Sequence, residues 1–158
     1  MNWQEVTENP NLQNLPFKIE LNERGQIIMN PVKLKHSYWQ SRIARLMENM
    51  RQDGIALPEC AVWTKKGTKV ADVAWVSLEL WDALKGKSEA SVSPEVCVEV
   101  LSMSNSEAEM KEKRKLYFEQ GASEVWLCDE YGDVTFYNSK GKLKKSKMFP
   151  EFPLKIII

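Results

Sequence analysis

Apolar and polar positions along the chain fall into two rhythms. Leu34, Tyr38, Trp39, Ile43, Leu46, Met47 and Met50 recur at helical spacing, which predicts a helix from Lys33 to about Arg51 with Gly54 as its stop signal. LPFKIELNERGQIIMNP reads as two strands, near 16–21 and 26–30, and Asn22 and Gly25 between them suit a hairpin turn. ALPECAVWT and KVADVAWVS are β-rich runs separated by Lys65-Lys66-Gly67, and PEVCVEVLS is a further strand. ASEVWLCD and DVTFYNS flank a Glu130-Tyr131-Gly132 turn, and FPLKIII reads as a terminal strand. Shorter helices are expected over 2–8, ended by Asn9-Pro10, and over LELWDALKG, with GKSEASVSP as a loop. A helix over 105–120 has a capping box in Ser104 and Glu107, and Gly121 sits where a C-terminal cap belongs. The order is α–β–β–α–β–β–α–β–α–β–β–β. That predicts an α/β (α+β) fold with a mixed central sheet flanked by helices, not the strict alternation of a dinucleotide-binding domain.

Length and composition narrow the classes. At about 100–200 residues per domain, 158 residues make one domain, 1–158. With 43% hydrophobic and 28% charged residues the chain is expected to be globular and soluble. Lys+Arg and Asp+Glu are 22 each, so any nucleic acid must be held by a local patch rather than by overall charge. His36 is the one histidine, which excludes a zinc finger and a His-rich metal site. Cys60, Cys97 and Cys128 form no CxxC pattern and sit in apolar runs, as reduced buried thiols of a cytoplasmic protein do. There is no GxGxxG or Walker loop, no secretory pattern at the N-terminus, and no apolar run near the roughly 20 residues that span a bilayer.

Two acids stand where a plain core strand would not carry them. Asp72 lies within Val70-Ala71-Asp72-Val73-Ala74-Trp75-Val76. In PEVCVEVLS, Val96, Val98 and Val100 line one face, while Glu95, Cys97, Glu99 and Leu101 line the other. Burying an ionised carboxylate costs several kcal/mol unless a lysine, backbone N–H groups or a cation compensates. Two such acids converging at the ends of adjacent strands would suit a hard cation with oxygen ligands, Mg²⁺ above all; the alternative is a solvated strand edge. In the following helix Met110, Leu116, Tyr117 and Phe118 define an apolar face that includes Lys113, whereas Lys111 and Lys115 fall on the opposite side. Lys113 is therefore expected to point towards the sheet that carries Glu99, unless it snorkels to water.

This arrangement resembles the PD-(D/E)xK nuclease superfamily, and more closely the Uma-type restriction-endonuclease family. The segments that carry the likeness are VADVAWVS, PEVCVEVLSMSNS and EKRKLYFEQGASEVWLCD, with FKIELNERGQIIMNP resembling the family's opening hairpin. The resemblance implies a restriction-endonuclease-like fold with an N-terminal β-hairpin. It matches Asp72 to the acid of the PD motif, Glu99 to the (D/E) position, Glu20 to an additional acid from the hairpin and Lys113 to the family's helix lysine. Ala71 replaces the motif's proline, and Met103 stands where the family usually has proline in the turn. Leu101 occupies the position where the wider superfamily keeps its lysine, so Lys113 must supply that function.

The implied activity is Mg²⁺- or Mn²⁺-dependent hydrolysis of DNA phosphodiester bonds. Asp72 and Glu99, with the backbone carbonyl of Val100, would bind the metal, and Glu20 would help hold a second ion or a water. Lys113 would orient the attacking water and offset charge in the transition state. His36 is expected to be structural, a helix-start residue. Lys65 and Lys66, and Lys144 and Lys145 within the lysine-rich stretch 140–147, are candidates for phosphate contact or simply a solvated face. Trp63, Trp75 and Trp126 are expected in the core, and Trp81 is a candidate for exposure. Cutting both strands of a duplex takes two sites, hence a homodimer. The alternative is a catalytically weak or inactive relative acting as a DNA-binding or protein-interaction module.

Overall fold

The computed structural model describes residues 1–157. Helix α1 (Trp3–Glu8) is capped by the Asn2 side chain and followed by a 3-10 turn at Pro10–Leu12. Strands β1 (Phe17–Leu21) and β2 (Ile27–Pro31) pair antiparallel as the expected hairpin. Gly25 sits in its turn at φ 74°, backbone that favours glycine.

The remaining elements are α2 (Leu34–Met50), β3 (Gly54–Val62), β4 (Lys69–Ser77), α3 (Leu78–Leu84), β5 (Val96–Val100), α4 (Glu107–Glu119), β6 (Glu124–Cys128), β7 (Val134–Asn138) and β8 (Gly141–Leu143). The six strands from β3 to β8 form one sheet in sequence order. Every neighbouring pair is antiparallel except β5 and β6, which run parallel with α4 as their crossover. The mixed sheet, the flanking helices and the separate hairpin are the expected architecture.

Helix α2 packs Trp39, Ile43 and Met47 onto a core of Val73, Trp75, Val96, Val98, Val100, Trp126 and Phe136. A second cluster gathers Cys97 of β5, Val125 of β6 and Tyr117 of α4. The chain after β8 is fastened by a buried carboxylate. Glu124 accepts from Trp126 Nε1 (2.8 Å), Ser146 Oγ (2.7 Å), Lys147 N (2.8 Å) and Met148 N (3.2 Å). With four donors satisfying it, this acid is a structural fastening.

Four expectations need correction. The cap of α4 is Ser106, which accepts from Glu109 N at 3.1 Å, because a Ser102–Asn105 turn occupies the residues of the Ser104 capping box. The terminal FPLKIII forms no strand over its described residues. It makes only a clasp, Val134 N to Leu154 O and Ile156 N to Gly132 O (both 2.8 Å), since β8 already pairs with β7; Ile158 lies outside the described residues. Trp63 is 46% exposed, because β3 ends at Val62 and the next side chain leaves the sheet. Leu34 is 91% exposed at the first residue of α2, ahead of the buried stripe.

Candidate active site

The ladder between β4 and β5 stops at Val73 opposite Val98, one residue short of Asp72 and Glu99. Beyond that point the Asp72 side chain takes over from the backbone, and its Oδ2 accepts from Val100 N at 2.7 Å. Opposite Asp72 in the other direction, the β3–β4 ladder skips one pair without changing register. Pro58 and Cys60 pair with Val73 and Ala71, but the intervening Glu59 has φ 50° and leaves the ladder. A left-handed non-glycine residue inside a strand is strained backbone, and such strain clusters at functional sites.

The hairpin docks on β4 beside this opening. Leu21 N donates to Thr68 O (2.8 Å), and Glu20 Oε2 accepts from Val70 N (2.6 Å). Period-two alternation in FKIEL then puts Lys18 on the same face as Glu20. Lys18 Nζ lies 3.1 Å from both Asp72 Oδ1 and Glu99 Oε1, and 3.9 Å from Glu20 Oε2. Burial alone would lower its pKa, but the charges of Glu99, Asp72 and Glu20 outweigh burial and push it well above the ordinary lysine value.

Helix α4 closes the other side. Lys113 points inward, with Nζ 2.8 Å from Glu20 Oε2 and 3.1 Å from Glu99 Oε1. One helical turn on, the Tyr117 hydroxyl donates to Glu99 Oε2 at 2.8 Å. Burial first, and then the Glu99 charge, raise the Tyr117 pKa well above its usual value, so the phenol keeps its proton. Asp72, Glu99 and Glu20 are all buried. His36, in the first turn of α2, donates from Nε2 to Val100 O at 2.6 Å and lies 3.7 Å from Asp72 Oδ2. It therefore belongs to the rim of the site, where the sequence suggested only a helix start.

The structure thus brings Asp72, Glu99, Glu20, Lys113 and Val100 into one pocket. It adds Lys18, Tyr117 and His36, which no local sequence pattern places there. Tyr117 is buried behind Glu99, and the cavity lined by the others measures about 70 Å³, room for an ion or water but not for a nucleotide. A groove of about 790 Å³ adjoins it, sharing Asn105 and Met110 and running past Arg114, Leu127 and Tyr137. The surface lysines stay outside. Lys65 and Lys66 instead pair with acids of α4, Glu119 (3.2 Å) and Glu112 (2.7 Å). Lys144 and Lys145 are exposed just beyond β8, at the sheet edge far from β4 and β5. Trp81 is half-buried.

Among the described residues no group of three or more His, Cys, Asp or Glu side chains is arranged to hold a metal ion. The donors are hard oxygens, however, and two carboxylates suit a magnesium-type ion that keeps waters and takes its remaining ligands from substrate phosphate.

A six-stranded mixed sheet opened at one strand pair over buried acids, with a docked hairpin, is the fold of a restriction-endonuclease-like nuclease. A protein of Anabaena variabilis, described as a "putative nuclease belonging to DUF820", shares this fold at a TM-score of 0.77 and 19% identity, over 98% of this chain and 94% of that one. The sequence model of the Uma2 family, described as "Putative restriction endonuclease", matches residues 3–151, and the chain belongs to that family. No curated protein matches it in sequence. Among the described residues no helix is long and apolar enough to cross a membrane.

Proposed function

We propose that the protein is a divalent-metal-dependent endonuclease that hydrolyses DNA phosphodiester bonds, most readily with Mg²⁺ or Mn²⁺. The observation that carries this reading is the meeting of Asp72 and Glu99 at a break in their ladder, with Lys113 reaching the same carboxylate. Where the ladder ends, one Lys18 ammonium bridges an oxygen of each acid, the place a cation would share.

In this reading Asp72 and Glu99, with the Val100 carbonyl, would hold the metal. Glu20 steadies Lys113 and would help hold a second ion or a water. The bound cation supplies Lewis-acid polarisation of the phosphate and a lowered pKa for the attacking water. Lys113 orients that water and offsets negative charge as it develops on the phosphate. Tyr117 fixes Glu99 in place by its hydroxyl. The small cavity keeps the nucleotide at the mouth, and the adjoining groove along α4 gives the strand a path. Two copies, one per strand, would cut a duplex. The three cysteines are free, as they would be in the cytoplasm.

A second reading has a specific observation in its favour. Lys18 and Lys113 already compensate most of the acidic charge, as they would in an inactive relative that binds DNA or protein. Plasmid cleavage in Mg²⁺ or Mn²⁺, with EDTA controls, separates the two. Cleavage by the wild type that EDTA abolishes and that Asp72→Asn and Glu99→Gln both lose is the expected result. Cleavage at wild-type rate in both variants places the activity elsewhere. No cleavage by wild type on supercoiled, linear or single-stranded DNA favours the binding module.

A further inference from the structure

We infer that Lys18 is the resident counter-ion of the acidic pair, holding the place between Asp72 and Glu99 that a divalent cation takes, and that its displacement sets how tightly the cation binds. The inference rests on the reading of Asp72 and Glu99 as metal-binding acids.

The geometry is that of a bridging cation. One ammonium lies 3.1 Å from an oxygen of each acid, and the two acids come from different strands. A metal on the same two oxygens would sit against that ammonium, and like charges at such separations repel strongly in a buried site. Both acids thus give one oxygen each to a single ammonium, and a cation on those oxygens competes with it directly.

Lys18 is also the lysine able to leave. Lys113 is tied to Glu20 at 2.8 Å in addition to Glu99, and it projects from a helix of the main body. Lys18 makes its two closest ion pairs with the very acids that would bind the metal, and it rides on a two-stranded hairpin outside the main sheet. Its unbranched stem can swing. It has somewhere to go, because a neighbouring cavity of about 220 Å³ is lined by Lys18, Val6, Phe17 and Glu59, and Glu59 also lines the acidic pocket. Glu59 forms no ion pair among the described residues, so its carboxylate can receive the displaced ammonium.

The test is direct Mn²⁺ binding to the full chain, followed by the electron paramagnetic resonance signal of free Mn²⁺. Wild type, Lys18→Met and Asp72→Asn are compared. The expected result is at least tenfold tighter binding by Lys18→Met than by wild type, with binding lost in Asp72→Asn. The Mn²⁺-induced rise in melting temperature should likewise be larger for Lys18→Met. Lys18→Gln, which keeps a polar end towards the acids, replaces the methionine variant if that fails to fold. Equal or weaker binding by the Lys18 variants beside a wild type that binds would overturn the inference while leaving the metal site standing. No binding by any of the proteins removes both.

Discussion

Asp72 and Val100 are joined by a buried hydrogen bond of 2.7 Å, in which a carboxylate accepts the backbone N–H that β4 no longer reaches. Asp72 is thus both a charge in the pocket and a substitute for a strand partner. The two roles come apart on substitution. Asp72→Ala strands a buried N–H, which costs about 1–3 kcal/mol, or roughly 2–12 °C of melting temperature for a chain of this size. Asp72→Asn removes the same negative charge but keeps an oxygen for Val100, so it should be the less destabilised of the two. Equal loss in thermal denaturation of the two variants would mean that the hydrogen bond contributes nothing of its own.

Tyr117 and Lys113 stand four residues apart on α4 and end on the same Glu99 carboxylate. Removing the hydroxyl in Tyr117→Phe leaves a buried oxygen of Glu99 without its donor. Hydrogen bonds to charged groups are worth about 1.5–3 kcal/mol. The urea midpoint should fall accordingly, with the slope of the transition unchanged because the fold and its exposed surface are unchanged. A midpoint equal to that of wild type would show that water replaces the phenol without loss.

Cys60 offers a pH dependence. Burial pushes its thiol up to about 11, and burial pushes Cys128 up to about 12. A raised thiol pKa means that thiolate, the reactive form, is scarce below that value and grows about tenfold per pH unit towards it. Iodoacetamide should therefore label the native protein negligibly at pH 8, with labelling that climbs steadily to pH 10. In urea all three cysteines should react at the ordinary rate of a free thiol. Rapid native labelling at pH 8, located by mass spectrometry at Cys60, would contradict the burial.

How much of this was legible in the chain depends on how local each cause is. V-C-V-E-V states its own two faces, so the inward Glu99 could be read directly from alternation. The phase of α4 turned Lys113 inward for the same reason. Lys18 was equally visible beside Glu20 in F-K-I-E-L, but its importance depends on partners 54 and 81 residues away. No local pattern says where a hairpin docks. Both Ser104 and Ser106 have a glutamate three residues on, and only the Ser102–Asn105 turn decides between them. Trp63 closes an apolar run that looks continuous, and it is exposed because the strand stops one residue earlier. Glu124 sits in a strand as Glu99 does, yet it meets four donors and no lysine ammonium. The two acids differ only in what the rest of the chain brings to them.

The lysine clusters divide by what already neutralises them. Lys65 and Lys66 are held by Glu119 and Glu112, so a phosphate would have to compete with carboxylates for them. Lys144 and Lys145 are exposed and form no ion pair with the described residues. If DNA follows the lysine-rich edge beyond β8, Lys144→Ala combined with Lys145→Ala should weaken binding and reduce the salt slope by roughly one for each phosphate that is no longer neutralised. Lys65→Ala with Lys66→Ala should change that slope less, because those ammonium groups neutralise carboxylates rather than phosphates. Fluorescence anisotropy of a labelled duplex between about 50 and 200 mM salt reads both. An unchanged slope in the first double variant makes that edge a solvated face, and a larger change in the second would route the duplex over the β3–β4 loop instead.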